Sequence, residues 1–351
     1  IGRAGFLAGV PHEDTDTTGY SNIRSRVLTT AAQQAPGVLR ILTGADWIAS
    51  GFADLPAPGK RKRRDGSPAY KPHYPALPSD RVRWVGAPVA FVVAETQAQA
   101  MDAAELIEVE YEPLPAVTTT VEAVKDGAPL VHDDCPNNIC FVHLGGDKEK
   151  TDAAFAQADH IVKHSFFLNR VTAATMEPRG TVADYDAMAD RYTVYSTMQR
   201  PHVFRSSLAR VLRVPENNIR VAGGDIGGSF GMKTPIYNEV ALTVLASRLL
   251  GRPVKWISTR SESFLSDAQG RDVTTEAELA LDKNGKFLGL RVKNLVALGA
   301  FVQAGADGAP VVNLGTLANV YTTPAIHVDV TAVFLNTNPV RSYRGNGRPE
   351  A

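Results

Sequence analysis

With 351 residues, 44% of them hydrophobic, the chain exceeds the usual size of one domain and is long enough to bury two cores. Its 37 Lys and Arg balance 37 Asp and Glu, so the formal net charge of zero makes no electrostatic case for nucleic acid or an anionic membrane as partner. Two cysteines, Cys135 and Cys140, are too few for a disulfide framework, for iron–sulfur ligation or for a four-cysteine zinc site.

No apolar run approaches the roughly 18 residues that span a bilayer. The opening IGRAGFLAGVPHEDTD lacks a basic-then-apolar secretory signal. A soluble, cytoplasmic protein in a reducing compartment is the expectation. The chain starts without methionine and stops at RGNGRPEA, which reads as a processed chain or one piece of a larger protein.

In chain order, RSRVLTTAAQQAPGVLRILTGADW predicts a strand, a small-residue helix and a second strand ending at a glycine. The five-cation run GKRKRRDG, Lys60 to Arg64, sits among prolines and glycines and predicts a solvated, turn-rich loop. DRVRWVGAPVAFVVAET supplies two more strands. TQAQAMDAAELIEVEYEPLPAV reads as an Ala-rich helix running into a strand that Pro113 and Pro115 stop. The polar HDDCPNNICFVHLGGDKEK reads as a connector.

Beyond it, KEKTDAAFAQA predicts a helix, and HIVKHSFFLNR, TVADYDAMADRYTVYSTMQ and TTEAELALDKNGKFLGLRVKNLVALGAF predict antiparallel strands, with DKNGK as a hairpin turn. PHVFRSSLARVLRVPENNI and YNEVALTVLASRLLG are the clearest amphipathic helices, the second ending at Gly251. The expected division is an atypical segment 1–19, a small α+β domain 20–125, a linker 126–150 and a second α+β domain 151–351. No internal repeat is evident.

Four stretches bear on chemistry. GGDIGGSFGMK, Gly223 to Lys233, packs five glycines into eleven residues between a strand and a helix, where unpaired amides can face an anion or a polar cofactor atom. Its spacing is neither G-x-G-x-x-G nor a phosphate loop ending in G-K-[ST]. Taken alone, it reads first as a tight turn over a packed Phe230. STMQRPH places Gln199 at a strand end ahead of a helix, where its amide can donate or accept across a cleft. MEPRG sets Glu177 beside Arg179, alone a surface ion pair. NPVRSYRGNGRPEA gathers Arg341, Arg344 and Arg348, suited to planar recognition of carbonyls, carboxylates or phosphates, or equally a basic disordered end.

In this order the landmarks VRWVGAPVAFVVAETQAQAMDAAELIEVEYEPLPAV, MEPRG, STMQRPH, GGDIGGSFGMK and SYRGNGRPEA resemble the large, molybdenum-binding subunit of the xanthine oxidase family of molybdenum hydroxylases, nearest its carbon monoxide dehydrogenase-like branch. The resemblance covers about residues 30 to 351 and implies the first half of such a subunit. It implies a hammerhead-type α+β domain followed by the first part of a molybdopterin-binding α+β domain. The implied cofactor is a molybdenum ion held by a pterin dithiolene, in bacteria often the cytosine dinucleotide form, so that no side chain ligates the metal directly.

By the same resemblance, Gln199 matches the glutamine that hydrogen-bonds an oxo ligand. Gly228, Ser229, Phe230 and Gly231 match the loop beside the metal, and Lys233 anchors that loop. Arg344 matches the arginine that orients substrate and offsets developing negative charge. Phe230, Met232 and Gly345 fall at the substrate pocket. Carbon monoxide enzymes carry a cysteine where Gly345 stands, and purine oxidisers carry a glutamate where Thr234 stands and a glycine where Met232 stands. Aldehydes and electron-poor N-heterocyclic carbons are therefore the expected substrates, with water as oxygen source.

Implied partners are an FAD-binding medium subunit, a small subunit with two-iron two-sulfur clusters, and a chain or segment carrying the second half of the molybdenum domain, together forming a dimer of heteromers. The general base belongs to that second half; neither Glu177 nor Glu350 is assigned to it. A non-catalytic half-subunit that binds a partner or cofactor is the alternative.

Overall fold

The computed structural model describes residues 3–9, 23–57, 59–79, 81–308, 310–311, 314–345 and 347. Arg348, Glu350 and most of the segment 1–19 lie outside the described residues. The chain divides into two compact units, each assembled from separate stretches: residues 1–57, 73–116 and 172–268 form one, and 58–72, 117–171 and 269–351 the other.

Among the described residues, the first unit holds three sheets. Arg3–Gly9, Pro88–Ala94 and Val38–Leu42 form one three-stranded sheet with Pro88–Ala94 central. Every residue of that central strand is buried, the mark of a strand covered on both faces. The helix Gln97–Glu105 packs Ala100, Ala103 and Ala104 on Ala90, Val92 and Ala94. Its start is a capping box, in which Thr96 Oγ1 accepts from the Gln99 amide at 3.2 Å. A second sheet pairs Ile23–Leu28 with Arg81–Val82 and with Glu108–Pro113.

A four-stranded sheet runs in the order Ile219–Ala222, Arg191–Ser196, Gly180–Asp186, Val254–Ile257. Two helices flank the path of the glycine loop. Pro201–Leu212 begins with proline, whose missing N–H costs nothing there. It buries Phe204, Leu208, Val211 and Leu212, positions i, i+4, i+7 and i+8 of one stripe. Asn238–Leu250 is not the amphipathic helix expected: ten consecutive residues, Asn238 through Ser247, are buried, so every face is covered, while its end is as its sequence predicts, with Gly251 at φ +61°.

The second unit is built on a five-stranded sheet in the order Ile139–Gly146, Ile326–Phe334, Phe287–Gly299, Val273–Leu281, His160–Leu168. Within this sheet Phe287–Gly299 and Ile326–Phe334 pair in parallel, and the other neighbouring strands pair antiparallel. The DKNGK turn closes as expected: Asp282 Oδ1 accepts from the Asn284 and Lys286 amides at 2.8 and 2.9 Å.

Two expectations change here. Part of the polar stretch read as connector is the strand Ile139–Gly146, which buries Cys140 and Phe141 against Ile326–Phe334. The turn signals that suggested a linker sit just before it, where Asn137 and Asn138 take φ near +55° and the fully buried Asn138 amide bonds Val131 N, Ala123 O and Pro129 O. The five-cation run is likewise not simply solvated. Arg63 donates to the Ile139 carbonyl at 3.0 Å, and Arg64 grips Asp329 at 2.9 and 2.8 Å. Partners that lie 76 and 265 residues away leave no local sign in sequence.

Candidate functional site

The glycine loop leaves the strand Ile219–Ala222 and feeds the helix Asn238–Leu250. Gly228, Phe230 and Gly231 hold φ of +97°, +54° and +104°, so the chain enters the left-handed region three times in four residues. Glycine makes two of those turns without a Cβ penalty, and Phe230 takes the third against its own preference. Gly227 has a different reason: a Cβ there would stand 2.4 Å from Glu177 Cβ.

Gln199 lies between the strand Arg191–Ser196 and the helix Pro201–Leu212, where its sequence context puts it. Its main-chain N–H donates to the Lys233 carbonyl at 3.0 Å. Its side-chain oxygen accepts from Ser229 Oγ at 2.7 Å, from the Gly231 amide at 2.9 Å and, more weakly, from Thr234 Oγ1 at 3.4 Å. With Oε1 committed to the loop, the group left for an outside acceptor is the Nε2 amide, a pure donor. Gln199 is exposed, and Phe230 beside it is 40% exposed. The Gly231 amide is spent on Gln199, whereas those of Ser229 and Phe230 meet no acceptor among the described residues.

Beneath the loop lies an ion pair. Lys233, its side chain fully buried, donates to the Glu177 carbonyl at 2.7 Å and to Glu177 Oε2 at 2.9 Å. The same carboxylate oxygen accepts from the Gly227 amide at 2.8 Å. Partial burial pushes the Glu177 carboxyl up, but the bonds from Lys233 and Gly227 outweigh it and hold the group below the ordinary glutamate range. Lys233 is thus the anchor that the sequence suggests, and its counter-ion is Glu177.

Arg179 pairs instead with the buried carboxylates of Glu239 and Asp267, donating to Asp267 at 2.6 Å, and its guanidinium lies 3.8 Å from the centre of the Tyr237 ring. Met232 is 2% exposed, its carbonyl accepting from the Tyr237 hydroxyl at 2.9 Å. Sequence reasoning missed both the Ser229 and Thr234 hydroxyls on Gln199 and the Glu177–Lys233 pairing. The latter spans 56 residues.

Arg344 and Gly345 belong to the other unit. Arg344 is exposed, and its carbonyl accepts from Arg271 at 3.0 Å. Gly345 takes φ +98°. The turn is fixed from within, because Arg271 lies 5.2 Å from the Tyr343 ring centre and a Cβ on Gly270 would fall 2.5 Å from Tyr343 Cβ. Arg341 is buried, donating to the Ala304 carbonyl. Neither cysteine offers a nucleophile: burial raises both thiols, Cys135 to about 11 and Cys140 further still.

In this α+β protein, then, a glycine loop with two N–H groups that meet no acceptor among the described residues lies beside a glutamine whose side-chain oxygen is already engaged. The chain belongs to the molybdopterin-binding family of aldehyde oxidases and xanthine dehydrogenases. Residues 131–351 match the molybdopterin cofactor-binding domain, and residues 20–115 the a/b hammerhead domain of aldehyde oxidase and xanthine dehydrogenase.

Among its relatives is the 6-hydroxypseudooxynicotine dehydrogenase complex subunit gamma of Paenarthrobacter nicotinovorans, 33% identical over 92% of this chain and 40% of that protein. Among solved structures, the reconstituted CO dehydrogenase from Oligotropha carboxidovorans superposes with a TM-score of 0.87 at 30% identity, over 98% of this chain and 42% of that one. Quinoline 2-oxidoreductase from Pseudomonas putida 86 superposes with 0.85 at 31% identity, again over 98% and 42%. The chain therefore spans about two fifths of the length of these relatives. Among the described residues, no helix is long and apolar enough to cross a membrane.

Proposed function

We propose that this chain carries the first half of the molybdenum site of a hydroxylase that oxidises an aldehyde or an N-heterocyclic carbon with water as oxygen source. Electrons would pass to iron–sulfur clusters and FAD on partner subunits. The observation that carries the reading is the orientation of Gln199. Three donors engage its oxygen, so its NH2 is left as the donor for an oxo ligand of a molybdopterin-bound metal.

The residues fit such a group. An oxo and pterin ligand set is rich in acceptors, and the loop answers it with the Ser229 and Phe230 amides on a backbone stripped of Cβ atoms at Gly227, Gly228 and Gly231. When bound, the molybdenum centre, in its cytosine dinucleotide form, supplies the two-electron redox chemistry and the oxygen-transfer capacity. The chain's own contribution is binding and orientation. Gln199 and the loop amides fix the cofactor, and Phe230 shapes the space beside it; for Arg344, orienting substrate and offsetting developing negative charge, and for Gly345, lining the substrate pocket, are roles that rest on the family resemblance.

Thr234 and Gly345, in place of a glutamate and a copper-binding cysteine, favour heterocycles and aldehydes over purines and carbon monoxide. The relatives named for nicotine derivatives and for quinoline agree with that class.

The test is native mass spectrometry of the purified assembly with molybdenum, iron and flavin analysis, followed by turnover of N-heterocycles and aldehydes. Stoichiometric molybdenum with companion chains supports the reading. Gln199→Ala and Arg344→Ala are expected to lower kcat/KM by at least about 100-fold, as removal of a preorganised donor does. Full metal content with unchanged turnover in both variants overturns the site. A metal-free chain with no catalytic companion would instead be the non-catalytic half-subunit.

A further inference from the structure

The strand His160–Leu168, HIVKHSFFL, closes one side of the five-stranded sheet, paired antiparallel with Val273–Leu281 without a register shift. Among the described residues, no strand pairs with its outer edge. Such an edge offers a row of unpaired N–H and C=O groups, which native proteins blunt by short length, proline, bulges or charge. Here the strand is nine residues long, regular, and free of proline and glycine. Its one lysine, Lys163, is drawn 2.5 Å from Glu278 on the neighbouring strand.

Both faces are open as well. Every residue from His160 to Phe167 is exposed, including Ile161 at 46%, Val162 at 56%, Phe166 at 38% and Phe167 at 57%. Side chains alternate along a strand, so Val162 and Phe166 share one face and Ile161 and Phe167 the other. An edge strand with apolar side chains on both faces is an unfinished part of a core.

We propose that His160–Leu168 is the docking edge for the polypeptide equivalent to the remaining length of the relatives, which adds a strand to this sheet and covers both of its faces. Three of the relatives are matched over only 40% to 42% of their length, so 58% to 60% of each of these has no counterpart in these residues. A covering element of that size is what two open faces require. A second copy of this chain fits less well: edge-to-edge pairing would satisfy the backbone yet leave both apolar faces as open as before. The inference concerns assembly and stands apart from the cofactor chemistry, since docking can be read with or without molybdenum.

Hydrogen exchange by mass spectrometry, comparing the isolated 351-residue chain with the native assembly, reads the edge directly. Peptides covering His160–Leu168 are expected to contain outward amides that exchange freely in the chain alone and slow by at least about 100-fold in the assembly, as sheet amides do when paired. Val162→Asp with Phe167→Asp, both at exposed positions, should leave the chain's own melting transition in place. The doubly substituted chain should bind the separately expressed counterpart at least about tenfold more weakly. Equal exchange in the two states overturns the proposal. So does protection of the same peptides in a homodimer that forms with rising concentration, which would assign the edge to a second copy.

Discussion

Lys233 brings its amino group into a site with no solvent exposure, where among the described residues only the Glu177 carboxylate and carbonyl accept from it. The two ends of the pair are not equivalent, because Glu177 keeps 36% of its side chain in solvent. Glu177→Ala strands a buried ammonium and is expected to cost about 3 kcal/mol in urea unfolding, whereas Lys233→Met removes the buried charge and lets Glu177 turn to water, costing less. The order of the two losses is the check; equal losses would mean that the pair is not what holds the loop.

The carboxyl is held below the ordinary glutamate value, so its contribution is present above the unfolded pKa and is lost as pH falls through the lower folded one. The stability gap between wild type and Glu177→Gln should be widest above about pH 5 and close as the pH drops below about 4. Gly227→Ala acts on the same contact from the other side. Its Cβ would press on Glu177 at 2.4 Å, and a reduced molybdenum content in the purified variant is the expected result.

Two helix ends in the same unit pose one backbone problem and solve it differently. Asn238–Leu250 ends on Gly251 at φ +61°, and Pro201–Leu212 ends on Arg213 at φ +57°. A Cβ on Gly251 would meet nothing within 4 Å, so the cost of any side chain there is conformational alone. Gly251→Ala should therefore destabilise by about 1 kcal/mol and Arg213→Gly should stabilise by up to about 1 kcal/mol, read as opposite shifts of the thermal midpoint.

The same helices show what is legible in a sequence. The apolar stripe and proline start of Pro201–Leu212 and the glycine stop of Asn238–Leu250 are local signals, and so is the DKNGK hairpin; all stand where pattern places them. The position of Gln199 at a strand end is local too. Its hydrogen bonds are not, since Ser229, Gly231 and Thr234 reach it from 30 to 35 residues away. The strand Ile139–Gly146 was hidden for a related reason: its burial comes from Ile326–Phe334, nearly two hundred residues on, while the polar turn before it is what a short window reads.

At the scale of the whole molecule the chain passes between its two units five times, after residues 57, 72, 116, 171 and 268. Neither unit is therefore a continuous stretch. The five-stranded sheet needs Ile139–Gly146 as well as strands beyond residue 270, and the unit that holds it also takes in residues 58–72, whose Arg64 fastens to Asp329. The unit with Gln199 and the glycine loop depends equally on 73–116, which supplies the wholly buried strand Pro88–Ala94 and two partners of the Asn238 amide, the Ala76 carbonyl that accepts from Nδ2 at 2.9 Å and the Tyr74 hydroxyl that donates to Oδ1 at 3.1 Å.

A fragment of residues 151–351 keeps every motif that carries the family resemblance after MEPRG. It nevertheless loses an outer strand of one sheet and a buried strand that belongs to the unit holding the loop. Expressed alone, it is expected to lack the cooperative thermal transition of the full chain by circular dichroism and to bind no molybdopterin. Adding residues 20–150 as a separate polypeptide should restore the transition in proportion to how much of it associates. A sharp, independent melt of 151–351 would show instead that the discontinuous stretches decorate cores that are already complete without them.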